Sequence, residues 1–90
     1  MQVQVEVHIY GIVQGVGFRN AAKHLADEKH LLGFAQNMKV GSVYIVAQGE
    51  EKDVAAFVDW CRVGPSRARV DRIEVIRIDE LAQYGNFAIL

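Results

Sequence analysis

Val3, Val5, Val7 and Ile9 alternate with Gln4, Glu6, His8 and Tyr10. A period of two puts four branched aliphatics on one face, so the chain opens on a half-buried strand. From Phe18 the period changes: Phe18, Ala21, Ala22, Leu25 and Ala26 recur at helical spacing, with Lys23, Asp27 and Glu28 on the remaining face. This predicts a helix starting near Phe18 or Arg19 and ending near Lys29 or His30, shortly before Gly33. Phe34 to Met38 and Ser42 to Gln48 read as two strands around a short hairpin loop, Lys39-Val40-Gly41. The second of them sets Val43, Ile45 and Ala47 against Ser42, Tyr44 and Val46. Glu50 to Arg62 begins with acidic residues and carries Val54, Phe57, Val58 and Cys61 at i, i+3, i+4 and i+7, a second helix stopped by Gly64-Pro65. Val70 to Ile78 is predicted as a strand, and Asn86 to Leu90 as a short terminal one; Asp79 to Gly85 between them carries no clear period.

Strand, helix, strand, strand, helix, strand is a ferredoxin-like order. The expectation is an α+β sandwich: a mostly antiparallel sheet of four to five strands with both helices on one face, formed by residues 1–90 as one domain. A chain of 90 residues that is 51% hydrophobic and 23% charged has the composition of a globular domain.

The net charge of −1 offers no general attraction for nucleic acid or an anionic membrane, so any anion binding must be local. No apolar run reaches the length of a membrane span, and Met1 to Glu6 alternates instead of forming a signal-peptide core, so the expected setting is cytoplasmic. The single cysteine, Cys61, can form neither an intrachain disulfide nor a cysteine metal cluster, and its spacing with Val54, Phe57 and Val58 marks it as a buried thiol. His8, His24 and His30 lack metal-helix spacing, so no metal or cofactor is expected. Trp60 lies off the apolar stripe of its helix, which makes it a partly exposed residue and by itself no interface; the expected state is a monomer.

Chemistry concentrates in Gly11-Ile12-Val13-Gln14-Gly15-Val16-Gly17-Phe18-Arg19, nine residues holding three of the eight glycines. A glycine-rich turn between a strand and a helix start leaves backbone N–H groups free to converge on an anion, and the helix N-terminus adds partial positive charge. Arg19 supplies a forked guanidinium matched to phosphate oxygens. The glycine spacing fits neither a nucleotide P-loop nor a dinucleotide fingerprint, and neither Ser42 nor Ser66 has a histidine nearby in sequence to activate it. Asn37, near the end of its strand, can both donate to and accept from a water molecule. Its amide could equally satisfy local backbone at a hairpin edge.

Gly11-x-Val13-Gln14-Gly15-Val16-x-Phe18-Arg19 followed by Gly33-Phe34-x-x-Asn37-x-x-x-Gly41-Ser42-Val43 resembles the signature of acylphosphatases. Gln48-Gly49, Gly64-Pro65 with Ala68-Arg69-Val70, and Asn86-Phe87-x-Ile89 extend the resemblance over essentially the whole chain. It departs from the family pattern at His30, where a glycine commonly closes the first helix, at Phe34, and at Pro65-Ser66-Arg67. The resemblance implies metal-independent hydrolysis of an acyl phosphate to a carboxylate and inorganic phosphate, the latter also a competitive ligand. In that scheme N–H groups from Gln14, Gly15, Val16, Gly17 and Phe18 hold the phosphate, Arg19 neutralises it, and Asn37 orients the attacking water. The alternative is a non-catalytic phosphate-binding regulatory module of the same fold; such domains occur inside larger maturation enzymes, whereas this chain is expected to be the domain alone. An RNA-binding module shares the topology, but Ser42-Val43-Tyr44-Ile45-Val46 offers a single tyrosine and no base, against the stacking aromatics and cations such a module needs.

Overall fold

A computed structural model describes residues 1–90 and contains the elements in the expected order. They are β1 (Gln2–Ile12), α1 (Phe18–Glu28), β2 (Leu32–Asn37), β3 (Val43–Glu50), α2 (Glu51–Cys61), β4 (Arg69–Ile78) and β5 (Phe87–Ile89). The strands form one sheet in the order β4-β1-β3-β2-β5, antiparallel throughout except where β5 runs parallel to β2. The alternation of β1 is realised: Val3, Val5, Val7 and Ile9 lie in the core with Val43, Ile45 and Ala47 of β3. Phe18, Ala22 and Ala26 of α1, and Val54, Phe57, Val58 and Cys61 of α2, join them, and Val13, Leu31, Ala35 and Phe87 complete a single core cluster of 18 buried residues. Trp60 is half-buried and packs edge-on against Phe18, ring centroids 5.3 Å apart.

One boundary moves for a physical reason. β1 runs on to Ile12, because beyond Tyr10 it keeps pairing with β4, Gly11 opposite Val70 and Ile12 opposite Arg69, across a register shift. Gly11 therefore belongs to the strand and not to the anion loop. Its φ of +132° and the Arg69 carbonyl oxygen, 2.1 Å from where a Cβ would stand, explain the glycine. The loop expected to bind an anion is thus residues 13–17.

The sheet face away from the helices is not a plain solvated one. Val46 and Gln48 of β3 and Gln4 of β1 are buried there beneath the segment 79–86. The Gln4 carboxamide oxygen accepts from the Ala82 amide (2.9 Å) and from Gln48 Nε2 (3.0 Å), while Gln48 Nε2 also donates to the Ala82 carbonyl (2.7 Å). Tyr84 stands edge-on to Phe34 with centroids 6.1 Å apart, and Phe34 edge-on to Tyr44 at 5.7 Å. The unpatterned stretch is thus a strap, held by two glutamines and the Tyr84–Phe34 contact. It covers aromatics that the middle strands alone did not suggest, and it leads the chain to β5. Burial and a contact with Glu6 push the Tyr44 hydroxyl up to about 12.

α1 ends in a Schellman motif. The Leu31 N–H donates to the Ala26 carbonyl (2.8 Å), the His30 N–H donates to the Asp27 carbonyl (3.2 Å), and His30 takes φ +59°. It is the only non-glycine residue with positive φ. A left-handed L-residue costs about 1–2 kcal/mol, partly offset by the extra chain entropy that a glycine loses on folding, about 0.5–1 kcal/mol. His30→Gly should therefore raise the unfolding free energy by about 1 kcal/mol in a urea titration. The Cys61 thiol is fully buried and burial pushes its pKa up, so a thiol reagent should modify it only at the rate at which the domain opens. Labelling faster than opening, timed against hydrogen exchange, contradicts that burial.

Candidate functional site

The loop between β1 and α1 is pinned by its apolar members. Val13 and Phe18 are buried and Val16 packs on the core, while Gly15 and Gly17 between them stay exposed. Both glycines are left-handed, Gly15 at φ +73° and Gly17 at φ +79°. With alternate burial and two left-handed glycines, the loop donates no backbone hydrogen bond from residues 14–18, the condition for a nest of free amides. Gly17 is also the N-cap of α1, its carbonyl accepting from the Ala21 amide at 3.0 Å, so the first N–H groups of the helix open on the same side.

The cleft above this nest, about 180 Å³, is lined by Val13, Gly15, Gly17, Phe18, Arg19, Asn20 and Asn37. Arg19 and Asn37, 18 positions apart in the chain, thus meet at one spot. No carboxylate or imidazole lines it. Arg19 is half-buried and donates from Nη1 to the Leu90 backbone oxygen at 2.8 Å, which fixes the plane of the guanidinium. One turn on, Lys23 Nζ donates to the Phe87 carbonyl at 2.7 Å, so both cations of α1 tether β5.

Gln14 and Val16, whose N–H groups are expected as phosphate contacts, are absent from the residues that line the cleft. Gln14 Nε2 donates instead to the Met38 carbonyl (2.8 Å) and the Ser42 carbonyl (2.9 Å) of the β2–β3 hairpin. Asn20, which the sequence reading passed over, lines the cleft from the first turn of α1. Its position two residues into a helix that starts at an anion loop was the available signal. His30, Phe34, Pro65, Ser66 and Arg67, where the chain departs from the acylphosphatase pattern, all lie outside the cleft.

The sequence profile of the family described as Acylphosphatase matches residues 5–89. The chain belongs to the acylphosphatase family. A curated acylphosphatase of Geotalea uraniireducens (strain Rf4) is 40% identical over 89 residues, covering 99% of this chain and 98% of that protein. The crystal structure of an acylphosphatase from Bacillus subtilis superposes with a TM-score of 0.94 at 33% identity, covering 100% of this chain and 99% of that one. The fold also forms part of a larger protein: T. kodakarensis HypF matches with a TM-score of 0.83 at 35% identity over 100% of this chain but 12% of its own. At Gly15 and Gly17 nothing lies within 4 Å of the Cβ each lacks. Space does not forbid a side chain there; φ does.

Gly17→Ala should accordingly fold, lose about 1–2 kcal/mol of stability, and bind inorganic phosphate several-fold more weakly in calorimetric titration. Unchanged phosphate affinity would mean that the Gly17 turn does not shape the site.

Proposed function

We propose that this protein hydrolyses acyl phosphates and that the cleft between the anion loop and Asn37 is where it does so. The observation that carries the reading is the meeting of Arg19 and Asn37 above the exposed amides of Gly15 and Gly17, in a chain of this family. The N–H groups of Gln14 to Phe18 cradle the phosphoryl oxygens, with those around Gly15 and Gly17 best placed. Arg19, already oriented by Leu90, spends its remaining N–H donors on the same oxygens.

The Asn37 amide oxygen accepts a hydrogen bond from a water and directs the water's oxygen at phosphorus, in line with the acyl oxygen. The new P–O bond forms as the acyl P–O bond breaks, the carboxylate leaves with the bonding pair, and inorganic phosphate remains. No lining residue is a general base, so the water's proton passes to a phosphoryl oxygen. An acyl phosphate has a good leaving group, and positioning with charge stabilisation suffices for it. The reading needs one chain, one domain and no metal, and fits a monomer whose lone thiol is kept reduced in the cytoplasm.

Benzoyl phosphate hydrolysis in the presence of a chelator, followed by phosphate release, tests the activity; an absence of turnover with intact phosphate binding would favour a regulatory phosphate-binding module. Losing one preorganised transition-state contact typically costs about 10²–10³ in rate. Asn37→Ala should therefore lower kcat about 10²-fold or more with KM nearly unchanged, whereas Arg19→Ala should also raise KM and the inhibition constant for phosphate. Near-normal turnover by Asn37→Ala removes that residue from the mechanism.

A further inference from the structure

The phosphate nest and Asn37 sit on different elements, and the sheet does not join them. The β1–β3 ladder ends at Ile9 opposite Val43, and past Tyr10 the first strand follows β4, at the far side from the hairpin. Between the anion loop, 13–17, and the hairpin turn, 38–42, the hydrogen bonds present are the two donated by Gln14 Nε2. We infer that the Gln14 carboxamide is a positioning residue, which sets the distance between the bound phosphate and the Asn37-held water.

The accounting around it is complete. The Met38 carbonyl accepts from the Gly41 amide (3.0 Å) and the Ser42 carbonyl from the Met38 amide (2.9 Å), the two bonds that close the hairpin. Each carbonyl has a second lone pair, and each is filled by one proton of the Gln14 amide at 2.8 and 2.9 Å. Two carbonyl partners also settle the orientation of the amide, since its oxygen could satisfy neither. Gln14 precedes Gly15 of the nest, and Met38 follows Asn37. A bridge one side chain long therefore runs from the first glycine of the nest to the residue beside Asn37.

Ser42 is buried and Gln14 half-buried, so water does not readily replace the bond to the Ser42 carbonyl, while the bond to the Met38 carbonyl is exposed. Without it, the nest keeps its shape, because Val13, Val16 and Phe18 anchor it independently. The hairpin keeps its own closing bonds. Only their separation is released, and a displacement of about 1 Å between reacting groups can cost about 10²-fold in rate.

This inference rests on the reading of Asn37 given above, and its test separates the two. Gln14→Met keeps the length of the side chain and removes both donors; Gln14→Asn keeps the amide but falls a methylene short, and serves if the first variant does not fold. With benzoyl phosphate, either should lower kcat tenfold or more while KM and the inhibition constant for phosphate change less than threefold. The double variant with Asn37→Ala should be no slower than Asn37→Ala alone, because a positioning residue has nothing left to position.

A second readout does not depend on turnover. In the wild-type protein phosphate should shift the NMR resonances of both the nest amides and the Asn37 side chain; in Gln14→Met the nest should still respond and Asn37 should not. An unchanged kcat, a parallel loss of kcat and phosphate affinity, additive effects in the double variant, or an Asn37 response equal to wild type each overturns the inference. If Asn37→Ala alone retains activity, it is the Asn37 assignment that falls, and the NMR comparison still decides whether Gln14 couples the two halves.

Discussion

Everything at the cleft depends on the burial of Phe18. It is the first residue of α1 and is 2% exposed, with Trp60 edge-on at 5.3 Å. Gly64 passes so close that a Cβ there would stand 2.5 Å from the Phe18 ring. An aromatic side chain held by α2 and by the turn after it fixes where α1 begins. The helix start in turn determines where its free amides and the Arg19 guanidinium point. Burying an aromatic contributes several kcal/mol to the fold, roughly 25 cal/mol for each Å² removed from water. The anion nest, which has little packing of its own above Gly15 and Gly17, takes its rigidity from that anchor.

Much of this was readable from local pattern. The alternation of β1, the 3.6-residue spacing of both helices and the glycine positions are one-dimensional signals, and the structure realises them within a residue or two. The left-handed conformation of His30 was legible only through the resemblance, because the residue stands where the family commonly has a glycine. What was not legible depends on partners distant in sequence. Gly11 looked like loop because its pairing with Val70 lies 59 residues away. The strap at 79–86 has no period because its order comes from Gln4, Gln48 and Phe34, none of which is near it in the chain. Gln14 was legible as part of the loop, yet the use of its side chain depends on two carbonyls of a hairpin that local sequence cannot place.

The division of labour between Arg19 and Lys23 follows from the shapes of their charged groups. They stand four residues apart on α1; Lys23 reaches the first residue of β5, a strand of three residues that pairs with β2 alone, and Arg19 reaches the residue just after it. Lys23 also meets Asp27 at 3.2 Å, an exposed pair worth little, so its principal contact is with the strand. A lysine at position 19 could hold the strand or face the cleft as a point charge, with no fixed plane to do both. A guanidinium gives one N–H to Leu90 and keeps the others coplanar and aimed elsewhere. On the reading proposed above, the residue that neutralises the phosphate is thereby oriented by the same bond that ties down Leu90, a bond present before any phosphate arrives. Charge stabilisation in this cleft needs no reordering of a long side chain at the moment of binding, which is the condition under which a small, open and base-free site can favour a transition state.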